Sequence, residues 1–194
     1  MLEQTFYERD TVTVARELLG KVIVSRGAAG RIVEVEAYLG EGDLAAHSAR
    51  GLTARTQVIF GPAGRAYVYL IYGMYECLNF VVEADGKAGC VLIRALEPLV
   101  GIEQMRSRRG ERAKLRDLAR GPGRLTRALG ISRADNGRDL MNGEITVRDL
   151  GALVEVEVTA RIGITKSADL PLRFSIRGSQ WVSGGRACIN LKVK

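Results

Sequence analysis

The chain has 194 residues, of which 46% are hydrophobic and 26% charged, and Lys and Arg exceed Asp and Glu by 29 to 22. This composition excludes collagenous and disordered proteins and predicts one globular domain over residues 1–194. No apolar run approaches the roughly 18 residues of a membrane span, and the first residues lack the apolar stretch of a signal peptide. We therefore expect a cytoplasmic protein that contacts no membrane.

The first half of the chain alternates one helix with several strands. Asp10 is placed to cap a helix that continues to Leu19 and stops at Gly20. A long segment without regular structure, Gly40–Gly64, interrupts the strands, and loops of this length are usually functional. The predicted strands, with a turn at Gly27–Gly30, are Lys21–Ser25, Arg31–Leu39, Ala66–Tyr72, Cys77–Glu83 and Gly89–Leu96.

The second half contains a basic segment followed by more strands. Ten basic and two acidic residues lie between Gln104 and Arg133, in one or two predicted helices broken at Gly121–Gly123. Such clustering suits a polyanionic partner, because phosphate neutralisation releases counterions, but a solubilising helical face would look the same. Later strands are predicted at Glu144–Arg148, Val154–Arg161 and Leu172–Arg177. Short, hairpin-like connections favour the α+β class, with a curved, mainly antiparallel sheet flanked by helices.

Cysteine and histidine usage argues against metal and disulfide chemistry. Cys77, Cys90 and Cys188 are odd in number and form no C-x-x-C pair, and His47 is the only histidine in the chain. A disulfide framework or a zinc cage is hard to build from this set. We expect reduced thiols, no metal and no cofactor.

Several polar residues lie inside predicted strands whose packing does not require them. Alternation places Glu34, Glu36 and Tyr38 on one face of their strand, although a solvated acidic face explains this spacing equally well. Asn79 and Arg94 interrupt otherwise apolar strands and need partners if they are buried. Three tyrosines within Tyr67–Tyr72 fit either cross-strand packing or a stacking platform for bases.

Four longer segments of the sequence, taken together, resemble one protein family. VEVEAYLGEGDLAAHSARG, YVYLIYGMYECLN, GCVLIRALEP and LRFSIRGSQWVS occur in order, and the chain resembles the alkyladenine (3-methyladenine) DNA glycosylases from its start to Ser183. The loop Gly51–Ala63 matches less closely, with Thr56 and Ile59 at positions where relatives often carry Asn and Met. The resemblance implies an enzyme that flips a damaged purine out of duplex DNA and hydrolyses its glycosidic bond.

The resemblance also implies residue roles for the reaction. Glu36 would activate the attacking water, Arg94 would help to hold that water, and the backbone carbonyl of Ile162 would be its third partner. Glu34 would be a flanking acid. Because no lysine lies among the matched pocket residues, a monofunctional enzyme without a lyase step is expected.

The implied binding roles involve four groups of residues. Aromatic side chains would form walls that stack on the flipped base, and the histidine ring would also donate a hydrogen bond to the base edge. The side-chain amide of one asparagine would disfavour guanine by crowding its exocyclic amino group. One tyrosine would fill the vacated stack, and two arginines would contact phosphates. These residues are Tyr38, His47 and Tyr69 for the walls, Asn79 for the amide, Tyr72 for the wedge, and Arg120 and Arg124 for the phosphates.

Two other functions remain open at this point. A catalytically inactive duplex-DNA-binding module would keep the basic surface, and a carbohydrate glycoside hydrolase could use Glu34 and Glu36 as its acid pair. The partner expected from the resemblance is double-stranded DNA containing a damaged purine, bound by a monomer.

Overall fold

The computed structural model describes residues 1–84 and 86–184, so Asp85 and residues 185–194, Cys188 among them, lie outside the described part. Four helices are present in this part, α1 (Gln4–Tyr7), α2 (Thr11–Leu18), α3 (Ile102–Arg109) and α4 (Pro122–Leu129). The strands are β1 (Val22–Ser25), β2 (Ala28–Leu39), β3 (Ala66–Ile71), β4 (Tyr75–Val81), β5 (Gly89–Val100), β6 (Ile145–Arg148), β7 (Val156–Thr159) and β8 (Arg173–Ile176).

The strands form one sheet in which every pairing is antiparallel. The order is β3-β4-β5-β2-β1-β6, and β8 pairs with β2 beside the short β1, with β7 beyond it. The predicted α+β class, with a curved antiparallel sheet flanked by helices, is confirmed. The 12-residue β2 pairs with β5 along its length, and their register is irregular between Ile32 and Val35. Such bulges re-aim side chains, and this one lies beside Glu34 and Glu36.

Local sequence signals explain several element boundaries. The carboxylate of Asp10 accepts a hydrogen bond from the Thr13 amide at 2.9 Å and caps α2, as predicted. The predicted turn Gly27–Gly30 is wrong in its bounds, because the β1–β2 turn consists of Arg26 and Gly27. Both have positive φ, 45° and 77°, as tight two-residue hairpins require, so the small residues that follow are free to pair with β1.

The period of two along the strands divides the sheet into two different faces. Val35, Ala37, Val91 and Ile93 point into the main hydrophobic core, which the helices cover. The opposite face carries the polar and aromatic residues of β2 to β5. A second, smaller cluster on that face joins Ile59 of the Gly40–Gly64 segment to Tyr67, Val81 and Cys90. Ile59 of the long segment therefore packs on the polar face, whereas Ala63 near its end belongs to the main core.

Two negative findings concern the described residues alone. No helix there combines the length and the apolar character needed to cross a membrane. Within the same residues, no group of three or more His, Cys, Asp or Glu side chains is arranged to hold a metal ion.

Candidate active site

A cavity of about 480 Å³ opens on the polar face of the sheet. Its size is within the range typical of small-molecule sites. Strands, the long segment, the loop at Ile162 and the start of α4 all contribute to its lining. The predicted site residues that line it are Tyr38, His47, Tyr69, Tyr72, Asn79, Arg94, Arg120, Arg124 and Ile162.

Glu36 lies directly behind this lining, with no exposed surface. Its Oε1 atom accepts a hydrogen bond from the Ile162 amide at 2.7 Å and is 3.1 Å from Nη1 of Arg94. Its Oε2 atom accepts a hydrogen bond from the Tyr38 hydroxyl at 2.9 Å. Three residues of the cavity lining thus converge on one carboxylate, which the strand-face pattern alone could not show.

Ile162 contacts Glu36 through an atom that the resemblance did not indicate. The contact to the carboxylate is made by the backbone amide, which donates to Oε1, whereas the resemblance assigned a role to the backbone carbonyl. The amide fixes the orientation of the carboxylate. A water-binding role of the carbonyl stays a prediction.

Glu34 is equally buried but is held by different partners. Its Oε1 atom accepts hydrogen bonds from Nε of Arg94 at 2.9 Å and Nε of Arg173 at 2.7 Å, and its Oε2 atom accepts one from the Ser183 amide at 2.5 Å. The alternative of a solvated acidic face is therefore wrong. The acidic face is buried because the chain segments at Ile162 and Ser183 pack over it and bond its carboxylates.

Arg94 bridges the two carboxylates. Its Nε atom bonds Glu34, and its Nη1 atom is paired with Glu36. Burial disfavours the guanidinium charge, but Glu36 and Glu34 more than offset this cost and raise the pKa of Arg94. The partner that the sequence analysis required for a buried Arg94 is thus the pair of glutamates.

Aromatic rings form the walls of the cavity. The His47 and Tyr69 ring centroids are 4.6 Å apart in an edge-to-face arrangement, and Tyr67 packs against both rings. Burial, followed by the charge of Glu36, raises the pKa of Tyr38, so its hydroxyl stays protonated and donates to the carboxylate. Asn79 donates to the Tyr67 carbonyl at 3.1 Å, so this buried amide also has a partner.

His47 is neutral at physiological pH. Burial, followed by the nearby Arg55, lowers the pKa of His47 to about 4. Its Nδ1 atom is 2.9 Å from the Tyr67 hydroxyl and its Nε2 atom is 3.4 Å from Nη2 of Arg55. Because a guanidinium has only donors, Nε2 accepts and Nδ1 carries the proton. The ring donor expected to face a base is therefore engaged by Tyr67 in this structure.

Tyr72 lies at the tip of the β3–β4 hairpin and is 77% exposed. Its backbone has φ of 52°, a left-handed conformation that is uncommon for a bulky residue and places the ring outside the sheet. Met74 and Tyr75 beside it are also exposed. The tip thus presents a projecting apolar surface next to the cavity mouth.

Arg120 and Arg124 lie at the same mouth, on the segment that enters α4. Arg120 donates to the Val182 carbonyl at 2.7 Å, and Arg124 is paired with Asp117 at 3.0 Å. Several other arginines of the basic segment also bond backbone carbonyls and so connect separate parts of the chain. The charge pattern did not indicate this. The arginines that bond backbone carbonyls in this way are Arg108, Arg109, Arg116 and Arg127.

Comparison with known proteins agrees with this geometry. The family model described as methylpurine-DNA glycosylase (MPG) matches residues 5–180. The chain belongs to the methylpurine-DNA glycosylase family. The resemblance seen in the motifs is thereby confirmed, and as a family member the chain is a DNA glycosylase that takes DNA as its partner.

Relatives match this glycosylase along nearly its whole length. A protein from Methanoculleus marisnigri with the provisional name 3-methyladenine DNA glycosylase is 54% identical over 190 residues, covering 94% of this chain and 98% of that protein. One of the same name from Koribacter versatilis is 54% identical over 194 residues, covering 95% and 94%. A third, from Methanocella arvoryzae, is 48% identical over 191 residues, covering 94% and 96%.

The glycosylase also contains a buried ion pair that sequence reasoning missed. Asp43 and Arg161 form a two-pronged contact at 2.6 and 2.8 Å, and both side chains are fully buried. The Arg161 guanidinium also bonds the Ala37 carbonyl and lies 4.7 Å from the ring centroid of Tyr38. The next residue is Ile162, whose amide bonds Glu36. The pair therefore fixes both the ring of Tyr38 and the loop that orients the carboxylate.

We expect Asp43→Asn to destabilise the glycosylase by about 3–5 kcal/mol, because it leaves a buried guanidinium without its counter-charge. Urea denaturation measures this loss. Asp149→Asn is the matched control, since its carboxylate pairs with Lys21 at the same 2.8 Å but is 47% exposed. The control should cost less than about 1 kcal/mol. Equal losses in the two variants would contradict the structural role given to Asp43.

Proposed function

We propose that this DNA glycosylase removes alkylated or deaminated purines, such as 3-methyladenine and hypoxanthine, from duplex DNA during base excision repair. It would act as a monomer that flips the damaged nucleotide into the cavity. The observation that carries the proposal is the buried carboxylate of Glu36, held in a fixed orientation behind an aromatic cavity. The family membership and the names of the relatives support the same chemistry.

The proposed reaction is hydrolysis of the bond between the base and the sugar. Glu36 takes a proton from water while the water oxygen bonds to C1′ of the sugar. The bond from C1′ to the glycosidic nitrogen breaks, and its electron pair leaves with the base. The transition state carries positive charge on the sugar, which the carboxylate also stabilises.

The hydrogen bonds of Glu36 indicate where the water would bind. Oε1 is already engaged by the Ile162 amide and Arg94, whereas Oε2 accepts from the Tyr38 hydroxyl alone among the described residues. Each carboxylate oxygen accepts about two hydrogen bonds. Oε2 therefore has a lone pair that can accept a hydrogen bond from the attacking water, and Arg94 helps to hold the other oxygen in place.

The cavity walls would hold the flipped purine. Tyr38 provides one aromatic surface, and His47 with Tyr69 provides another, so that a purine can stack between them. Asn79, fixed through its bond to Tyr67, would disfavour the extra amino group of guanine. This arrangement supports selection by fit to the base as well as by the ease of flipping.

The glycoside hydrolase alternative fits the contacts poorly. It requires Glu34 as one of two carboxylates that reach the substrate. Glu34 instead accepts bonds from Arg94, Arg173 and the Ser183 amide, of which only Arg94 lines the cavity, whereas all three described partners of Glu36 line it. These contacts give Glu34 a structural role, which leaves the inactive DNA-binding module as the alternative for experiment.

Glu36→Gln keeps the shape of the side chain but removes the base and its negative charge. We expect the single-turnover rate of excision to fall by at least ~10²–10⁴-fold, because general-base catalysis and charge stabilisation are both lost. Excision from a duplex containing one hypoxanthine measures the rate, and binding to the same duplex should survive. An unchanged excision rate would remove Glu36 from the mechanism.

Glu34→Gln is the matched control on the same strand. It should lower the melting temperature more than Glu36→Gln does, because it weakens bonds to the buried Arg94 and the partly buried Arg173, and it should cost less in rate. A Glu34→Gln variant that is folded but inactive, beside an active Glu36→Gln, would reverse the two roles.

Tyr72→Ser tests the wedge. We expect weaker binding to a lesion in duplex DNA, because the flipped state loses the ring that fills the vacated stack, at an unstacking cost of a few kcal/mol. Fluorescence anisotropy on duplex and single-stranded lesion DNA measures the difference. The loss should be smaller on the single strand, and equal losses would argue against insertion of Tyr72.

Replacing Arg120 and Arg124 with Ala tests the phosphate contacts. Each lost contact should reduce the log–log salt slope of duplex binding by roughly 0.9, with the preference among bases unchanged. Arg177→Ala is the control, because Arg177 is an exposed arginine paired with Glu155 and does not line the cavity. A slope that responds to Arg177 alone would place the DNA-binding surface elsewhere.

A further inference from the structure

Arg55 is a charged residue at the aromatic walls to which neither the motifs nor the proposed mechanism gives a role. It lies in the Gly40–Gly64 segment, and its side chain is exposed. Its guanidinium carbon is 5.2 Å from the ring centroid of Tyr69, and its Nη2 atom is 3.4 Å from Nε2 of His47. One cation therefore contacts both rings that would form one side of the base-binding site.

Charge at this position has a direct consequence for the bases that can bind. Damaged purines fall into two charge classes, since 7-methylguanine and 3-methyladenine in DNA carry a positive charge, whereas hypoxanthine and ethenoadenine are neutral. An aromatic cavity by itself favours the cationic class, because ring faces attract cations. A fixed cation on one wall opposes that preference by repulsion over a few ångströms.

The positive charge of Arg94 does not act in the same way. Arg94 is paired with Glu34 and Glu36, and Arg173 is also paired with Glu34, so the four groups together carry two positive and two negative charges. The contacts of Arg55, in contrast, are with the rings of His47 and Tyr69. The positive charge of Arg55 would therefore act on a base held at the aromatic walls.

We propose that Arg55 is a specificity-determining residue that biases this glycosylase towards neutral damaged purines and against cationic ones. The inference rests on the proposed function, because it assumes that the cavity receives the flipped base. The charge of Arg55 sets the ratio between the two classes of base, while Glu36 and the aromatic rings set the absolute rate.

The test compares 7-methylguanine with hypoxanthine in otherwise identical duplexes. Both bases present an oxygen at position 6, so hydrogen bonding there is matched while the charge differs. The amino group found only on 7-methylguanine meets the same Asn79 in every variant and cancels when ratios are compared. Single-turnover rates at saturating enzyme, corrected for spontaneous loss of 7-methylguanine, give the ratio free of differences in DNA affinity.

Arg55→Met removes the charge but retains a long side chain. We expect the ratio of the 7-methylguanine rate to the hypoxanthine rate to rise by about threefold to tenfold, allowing for solvent screening at this exposed position. Arg55→Lys keeps the charge and should keep the wild-type ratio to within about twofold. Arg50→Met removes another exposed arginine of the same segment and should leave the ratio unchanged.

Three results would overturn the proposal. An unchanged ratio in Arg55→Met would show that the charge has no influence, and an equal change in Arg55→Lys would assign the effect to the shape of the guanidinium. A similar change in Arg50→Met would assign it to the general charge of the segment. In each case the wild-type activity would stand, whereas a wild-type protein that excises neither base would also refute the proposed function.

Discussion

Glu34 and Glu36 lie without exposed surface in the middle of β2, and Arg94 contacts both of them. Burying an unpaired carboxylate costs far more than any one contact in a domain returns, so two adjacent ones require positive partners. Arg94 supplies the shared partner, and Arg173 and the Ser183 amide complete the bonding of Glu34. This arrangement depends on the position of β5, on the pairing of β8 with β2 and on the course of the chain near Ser183.

The sheet separates this ionic cluster from the main hydrophobic core. Because side chains alternate along β2 and β5, Val35 and Ile93 pack in the core, while one residue away Arg94 lines the cavity and Glu36 lies directly behind its lining. The Gly40–Gly64 segment then covers the polar face with its own small apolar cluster. A change in the cavity can therefore alter the chemistry without disturbing the main core.

The sequence predicted the order and type of the elements well, because hydrophobic alternation and capping residues are local signals. It also identified the lining residues Tyr38 and Asn79 through their place in family motifs. It did not predict the partners of buried groups. Asp43 and Arg161 are 118 positions apart and bond directly, and the local sequence around neither residue indicates that contact.

The boundary errors have the same physical origin. The sequence predicts a turn at Gly27–Gly30, yet Ala28, Ala29 and Gly30 pair with β1. Tertiary pairing decided their conformation, and the positive φ angles of Arg26 and Gly27 made the tight turn possible. The strands β4 and β5 similarly differ from their predicted ends, because their neighbours in the sheet determine where pairing stops.

The presence of the buried Glu34–Arg94–Glu36 cluster bears on the function of the site. Replacing a buried ion pair by apolar residues of similar volume is often neutral or stabilising, so stability alone does not require three charged groups here. The proposed reaction would require them, because it places a developing positive charge beside a buried carboxylate whose orientation a fixed positive partner holds. Glu34 then has a clear purpose, since it binds Arg94 from the side away from Glu36. Arg94 thus bonds both carboxylates, and in the proposed reaction the second lone pair of Oε2 would be available to the water.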